Sequence, residues 1–311
     1  MLYLTIVLIA ATLFLSLLWL LYYITFSPMR KISDQYRLIP NTPHYNEIKD
    51  EIMKCIDELE VLECEDVSIT SYDGLKLFGR YYERENTNVI ELEFHGYRGH
   101  ALRDYCGGAK MCTDAKRSSI IIEQRAHGRS EGRTITFGIR ERYDVLSWVN
   151  YVIERFGKDV KIILSGVSMG AATVLMACEL DLPKNVCGII ADCPFSSPKE
   201  IISKVARKKG LCDKAIYPLI KLSAKIFARL DIEESSAVEA VKHTNIPIIL
   251  FHGQDDGFVP CEMGKRIFEA CVSEKKKFIT VEGAGHATSY FKDNELYVTA
   301  LNEFIDEILK K

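Results

Sequence analysis

The apolar run Lys161-Ile162-Ile163-Leu164 breaks directly into Ser165-Gly166-Val167-Ser168-Met169-Gly170, and then into the small-residue start Ala171-Ala172-Thr173-Val174. No other stretch restricts the fold so strongly. A buried strand that must turn at once into a helix places Ser168 at a sharp, strained corner, with its hydroxyl projecting from the strand end. Glycine suits positions 166 and 170, because a Cβ at either is expected to collide with the neighbouring strand or helix. The helix start lies under the serine, where its unpaired N–H groups can stabilise negative charge. The pentapeptide alone also fits an ordinary buried loop at a β-to-α junction; the flanking strand and helix signals favour the corner.

Ahead of this region lies a segment of another kind. Met1 to Pro28 carries no charged side chain, and Leu2 to Phe26 is almost entirely aliphatic or aromatic. As a helix its 25 residues would measure roughly 37 Å, enough to cross a hydrocarbon core of about 30 Å with some tilt. Tyr22 and Tyr23 fall where amphipathic rings favour an interface. A cleaved signal peptide fits less well, since the stretch is too long, lacks a basic n-region and has no small-x-small site after it. Arg30, Lys31 and Arg37 follow, against only Asp34. The positive-inside bias then predicts a single-pass anchor in the cell membrane with the remaining chain in the cytoplasm. Removing Met1 to Pro28 is expected to release a soluble, active domain.

The ten cysteines are scattered, without a CxxC pair or an accompanying histidine cluster, which suits a reducing compartment and gives no reason to expect a metal. A formal charge of −3 does not suggest a nucleic-acid partner.

Along the chain, Asn41–Leu62 reads as a linker and one peripheral helix, with Ile48, Ile52, Ile56 and Leu59 at helical spacing. Val67–Tyr82 reads as a hairpin turning at Tyr72-Asp73-Gly74. Strands at Val89–Phe94, Ser119–Glu123, Lys161–Leu164, Val186–Ala191, Ile246–Phe251 and Lys277–Val281 then alternate with helices at Leu102–Met111, Arg140–Phe156, after Ser168 to Leu180, and Phe291–Leu309. The Arg140–Phe156 helix is expected to bury Tyr143, Leu146, Val149, Tyr151 and Ile153. Such alternation predicts an α/β fold, a mostly parallel sheet with helices on both faces. About fifty residues between the strands at Val186 and Ile246 exceed a simple crossover and read as a helical cap: Ser197–Lys208, Asp213–Leu230 and Ser236–Val241. The divisions are an anchor at 1–28, a linker and peripheral helix at 29–66, and the main domain at 67–311 with its cap at about 196–243. Between Ser196 and Leu230 the cap carries nine basic residues against Glu200 and Asp213, which suits either a solvated face or contact with an anionic leaflet.

A serine hydroxyl is a weak nucleophile and needs a base, which in turn needs an orienting group. Acids follow one strand in His252-Gly253-Gln254-Asp255-Asp256-Gly257-Phe258-Val259-Pro260, and a histidine follows the last strand in Gly283-Ala284-Gly285-His286. With His95-Gly96, the Arg125-x-His127-Gly128-x-Ser130-x-Gly132 loop and Gly166-x-Ser168-x-Gly170, these motifs resemble the α/β-hydrolase superfamily, specifically the capped bacterial serine hydrolases grouped with serine aminopeptidases and monoacylglycerol lipases. The resemblance covers roughly residues 67 to 309. It implies that Ser168 attacks a carbonyl, His286 moves the proton and Asp256 orients His286, with Asp255 the rival acid. It also implies an oxyanion hole from the backbone N–H groups of Met169 and Tyr97. His95, Gly96, His127, Gly128, Gly166 and Gly170 are then supporting loop residues, and His252 a hydrogen-bonding one. The family commonly has Asp at Glu123 or Gln124 and Gly at Ala126. The implied activity is cofactor-free cleavage of a small-molecule or lipid carboxylic ester through an acyl-enzyme, at a bilayer reached through the N-terminal helix. A peptidase, an acyltransferase and a non-catalytic binding protein are the alternatives. A peptidase would be favoured by an acidic pair over the site, and Glu233 and Glu234 fall only after the first two cap helices.

Overall fold

Strand-forming segments rich in Val and Ile give β1 (Glu65–Thr70), β2 (Lys76–Tyr82), β3 (Val89–Phe94), β4 (Ser118–Glu123), β5 (Lys161–Val167), β6 (Val186–Asp192), β7 (Ile248–Gly253) and β8 (Lys276–Val281). They form one sheet in the order β1-β2-β4-β3-β5-β6-β7-β8. The first hairpin is antiparallel, β2 runs antiparallel to β4, and every later pairing is parallel. The order reverses between β3 and β5, so a crevice opens at their carboxyl ends, where open α/β sheets hold ligands. The computed structural model describes residues 1–28, 37–108 and 117–310. Arg30, Lys31 and Asp34, on which the orientation expectation rests, and the end of the expected Leu102–Met111 helix lie outside the described residues.

The helices are α1 (Leu2–Phe26), α2 (Pro43–Glu60), α3 (Ala101–Asp104), α4 (Glu141–Phe156), α5 (Met169–Met176), α6 (Pro198–Lys208), α7 (Asp213–Ala228), α8 (Ala237–Ala240), α9 (Cys261–Ala270), α10 (Ser289–Lys292) and α11 (Asn294–Leu309). No helix is expected from the sequence at α9, whose buried stripe is Met263, Gly264 and Ile267. In α4 the buried stripe is Val145, Trp148, Val149 and Val152, rotated from the one expected. The rotation buries Arg142 and Asp144 as well, which is tolerable because each is paired: Arg142 with Glu179 at 2.7 Å and Asp144 with Arg125 at 2.6 Å. Burial pushes the Asp144 carboxyl up to about 6 despite the guanidinium beside it.

By length and composition α1 is apolar enough to cross a membrane. It is not a separable tether, and this corrects the expectation of a clean cut at residue 28. Leu18, Tyr22 and Phe26, four apart on one face, are buried against the domain. Trp19 and Tyr22 meet Phe227 of α7 at ring-centroid distances of 5.1 and 5.6 Å, and Phe26 packs edge-on against Phe137 at 5.8 Å. Each such side chain contributes roughly 1.5–3 kcal/mol by burial. Deleting Met1–Pro28 is therefore expected to lower the domain's Tm by about 10 °C or more, since each kcal/mol is worth about 2–4 °C in a domain this size. Deleting only Met1–Leu17 should change Tm little. Thermal unfolding of the two variants in one detergent distinguishes these outcomes; equal Tm values would restore the separable anchor.

Candidate active site

Ser168 caps α5 with φ 56° and ψ −112°, a conformation rare for a residue with a side chain and a mark of stored backbone strain. The glycines on either side make the corner possible. A Cβ on Gly170 would lie 1.8 Å from the Phe94 carbonyl oxygen, and one on Gly166 would lie 2.3 Å from the Gly170 backbone. Gly170→Ala is therefore expected to prevent native folding, because two backbones would have to separate. Recovery of soluble Gly170→Ala protein with an unchanged Tm would contradict this packing.

The loops after β7 and β8 bring an acid and a base to that corner. His286 Nε2 lies 2.9 Å from Ser168 Oγ, and its Nδ1 lies 2.7 Å from Asp256 Oδ2. The other Asp256 oxygen accepts the Phe258 and Val259 N–H groups, both at 2.8 Å. Burial alone would raise the Asp256 carboxyl, but hydrogen bonds from His252 and His286 hold it well below the usual carboxylate range. An ionised Asp256 keeps the proton on Nδ1, so Nε2 accepts from the serine hydroxyl. Asp255 is exposed and makes no such contact; its N–H donates to the Ala284 carbonyl at 3.0 Å. His252 Nε2 lies 2.9 Å from the Val259 carbonyl and 3.5 Å from Asp256, within the acid loop.

On the other side of Ser168, the loop after β3 spends three N–H groups on the protein itself. Gly96 donates to Asp104 at 2.9 Å, Gly99 to the Gly96 carbonyl at 3.0 Å, and Arg98 to His127 Nε2 at 3.1 Å. Among the described residues none accepts from the Tyr97 N–H, and Met169, first in α5, has no intrahelical acceptor. His95 and His127 serve the loops: each accepts a backbone N–H on Nε2 and donates through Nδ1 to a carbonyl, of Gly96 and Arg125 respectively. Burial pushes the His95 imidazole down to about 3 and lowers His127 too, so both are neutral supports. Where the family commonly has glycine, Ala126 takes φ 64°, a left-handed backbone that explains the glycine preference.

A cavity of about 580 Å³ opens at this point, lined by Ser168, His286, Tyr97, Tyr105, Phe258 and Tyr290 among others. Three contributions were not visible in the sequence. Thr42 to Tyr45, at the start of α2, line the cavity, and His44 packs on Gly285. Asp104 braces Gly96 and pairs with Arg103 at 2.9 Å. Asp192, at the end of β6, is buried in the cavity wall, and burial pushes its carboxyl up to about 6. A strand-end acid was the only available signal for Asp192; Asp104 had none. Cys193, Asp256 and His286 place metal-type donor atoms within 4.8 Å of one another. Burial pushes the Cys193 thiol up, and the other two are already bonded to each other.

A family described as serine aminopeptidase, S33, matches residues 88–237. The Pyrococcus furiosus esterase Pf2001 superposes with a TM-score of 0.68 at 20% identity, over 92% of this chain and 98% of its own. The chain has the α/β-hydrolase fold. Relatives of the chain include Bacillus subtilis YqkD, an uncharacterised protein 26% identical over 61% of the chain; the match spans only 62% of YqkD. The lysophosphatidylserine lipase ABHD12 of Danio rerio is 24% identical over 63% of the chain and 51% of its own length. These likenesses support a serine-hydrolase-like enzyme.

Proposed function

We propose that this hydrolase cleaves carboxylic esters of small-molecule or lipid character through an acyl-enzyme on Ser168. The reading is carried by the unbroken path Ser168 Oγ to His286 Nε2, and His286 Nδ1 to Asp256, at 2.9 and 2.7 Å. Ser168 oxygen adds to the ester carbonyl while its proton passes to Nε2, and the carbonyl electron pair moves onto oxygen. Met169 and Tyr97 N–H groups donate to that oxyanion. Collapse expels the alcohol, protonated by His286, and leaves the acyl group on Ser168. Water then attacks, giving its proton to His286, and a second collapse frees the acid and restores the serine. Turnover of short soluble esters by the full chain tests the reading; cleavage of aminoacyl amides with no ester turnover would favour the peptidase. Glu233 and Glu234 give the peptidase little support, since Glu233 is bound by Lys199, Lys221 and Tyr217, and Glu234 by Arg142.

The same proposal places α1 across the bilayer. Residues Leu2 to Leu17 are exposed, but these sixteen span only roughly 24 Å, short of a hydrocarbon core of about 30 Å. The span must continue to about Leu21, beside the contact of Trp19 with Phe227, which brings α7 to headgroup level. Exposed Leu222 and Ile226 on α7, with exposed Lys214 and Lys225, suit that depth. Part of the cap's basic excess is spent internally: Lys199 and Lys221 pair with Glu233, and Arg207 with Asp213. Reversing Lys209, Lys214 and Lys225 to glutamate should abolish faster turnover of esters embedded in anionic vesicles at low salt, while sparing a soluble ester. Equal rates for both proteins on the vesicles would leave those lysines as solvated surface.

A further inference from the structure

A helix ends with four carbonyls lacking intrahelical donors, and every one of these in α1 finds a donor. Tyr23 accepts from the Ser27 N–H at 3.3 Å and Phe26 from the Ile135 N–H at 2.8 Å. Ile24 accepts from Arg98 Nη2 at 2.8 Å, and Thr25 from the Tyr97 hydroxyl at 2.9 Å. Arg98 reaches further, to the Ser27 carbonyl, through Nη2 at 2.8 Å and Nε at 3.2 Å. Half of the closure of α1 thus comes from two adjacent residues of the loop after β3. The guanidinium also meets the negative end of the helix dipole, and its charge lies over the Tyr97 ring at 5.0 Å.

These contacts act on a strained piece of backbone. Arg98 takes φ 51°, a conformation that persists in a non-glycine residue only when its surroundings over-determine it. One constraint is its own N–H on His127. The others are the side-chain contacts to α1, so the peptide between Tyr97 and Arg98 is gripped from both residues. The Tyr97 N–H, in the peptide directly before it, is the one proposed to meet the oxyanion.

We propose that Arg98 is a positioning residue for the acylation chemistry, with the C-terminal turn of α1 as its fixed point: the apolar helix holds the Tyr97 N–H in place as well as tethering the domain. The proposal rests on the reading of Ser168, Met169 and Tyr97 given above. Deleting an oxyanion donor costs about 10²–10³ in kcat, and loosening one costs less. A packing role alone would lower stability or the fraction of competent enzyme, but not turnover by each competent site.

The test uses the full chain in detergent micelles, with Arg98→Ala, Arg98→Lys and Tyr97→Phe. Competent sites are counted by a fluorophosphonate titration at Ser168, and kcat per titrated site and KM are measured on a short soluble ester. Arg98→Ala should lose about 10- to 100-fold in kcat per site with KM within about threefold. Arg98→Lys should recover part of the loss, because an ammonium can still donate to the Ile24 or Ser27 carbonyl. Tyr97→Phe, which removes one grip of two, should lose a few-fold. If Arg98→Ala does not fold, the other two variants decide by the same readout. An unchanged kcat per titrated site in all folded variants, with only Tm or the titrated fraction lowered, would overturn the proposal alone. Failure of the wild-type chain to be titrated at Ser168 would overturn the catalytic reading and this proposal together.

Discussion

Ser168→Ala is expected to lower kcat on esters by about 10⁴- to 10⁶-fold, and His286→Ala by a similar factor. The double variant should be little worse than either single one. The serine hydroxyl and the imidazole lie 2.9 Å apart and act as one proton-transfer unit, so removing either removes the unit's function. Thermal stability should remain within a few degrees of wild type, because Ser168→Ala leaves the strained corner and its glycine contacts in place. Steady-state kinetics on a soluble ester checks this, and losses that multiply in the double variant would show that the two residues act independently.

Asp256→Asn is expected to cost on the order of 10⁴ in kcat, the size of loss a serine protease suffers when its catalytic histidine is held in the wrong tautomer. The geometry explains why an isosteric amide should be so damaging. Asp256 Oδ1 already accepts two backbone N–H groups at 2.8 Å, so an asparagine must keep its carbonyl oxygen there. Its NH₂ would then face His286 Nδ1, which must become the acceptor, and the proton would move to Nε2. In that tautomer Nε2 cannot take the serine proton. Asp255→Asn should stay within about threefold of wild type, because its side chain is exposed and only its backbone is committed. Near-full activity in Asp256→Asn, with the loss in Asp255→Asn instead, would reverse the two roles.

What the sequence made legible follows from the physics of each signal. Gly166, Ser168 and Gly170 sit between a strand pattern and a helix start, and the close backbone approaches at the two glycines leave no room for a side chain. Asp256 and His286 follow neighbouring strands of one sheet, so their order in the chain reflects their meeting at its carboxyl edge. The contacts of α1 were harder to read, because hydrophobicity marks a helix that leaves water without saying whether lipid or protein receives it. The four-residue spacing of Leu18, Tyr22 and Phe26 was the available signal for a protein-facing stripe. Arg98 carried no local signature; its role comes from carbonyls more than seventy residues earlier. The buried face of α4 differs from the expected one because Arg142 and Asp144 look like solvent-facing charges until their partners, Glu179 and Arg125, are placed in space.

Fluorophosphonate labelling of the full chain, followed by mass spectrometry of the modified peptide, tests the central claim most directly. A nucleophile aligned with His286 and backed by oxyanion donors should form one adduct on Ser168 of the folded protein. The adduct should be absent after heat denaturation and absent from Ser168→Ala, whose ester turnover should vanish with it. An unlabelled Ser168 in the folded wild-type chain, or ester turnover that survives in Ser168→Ala, would contradict the account.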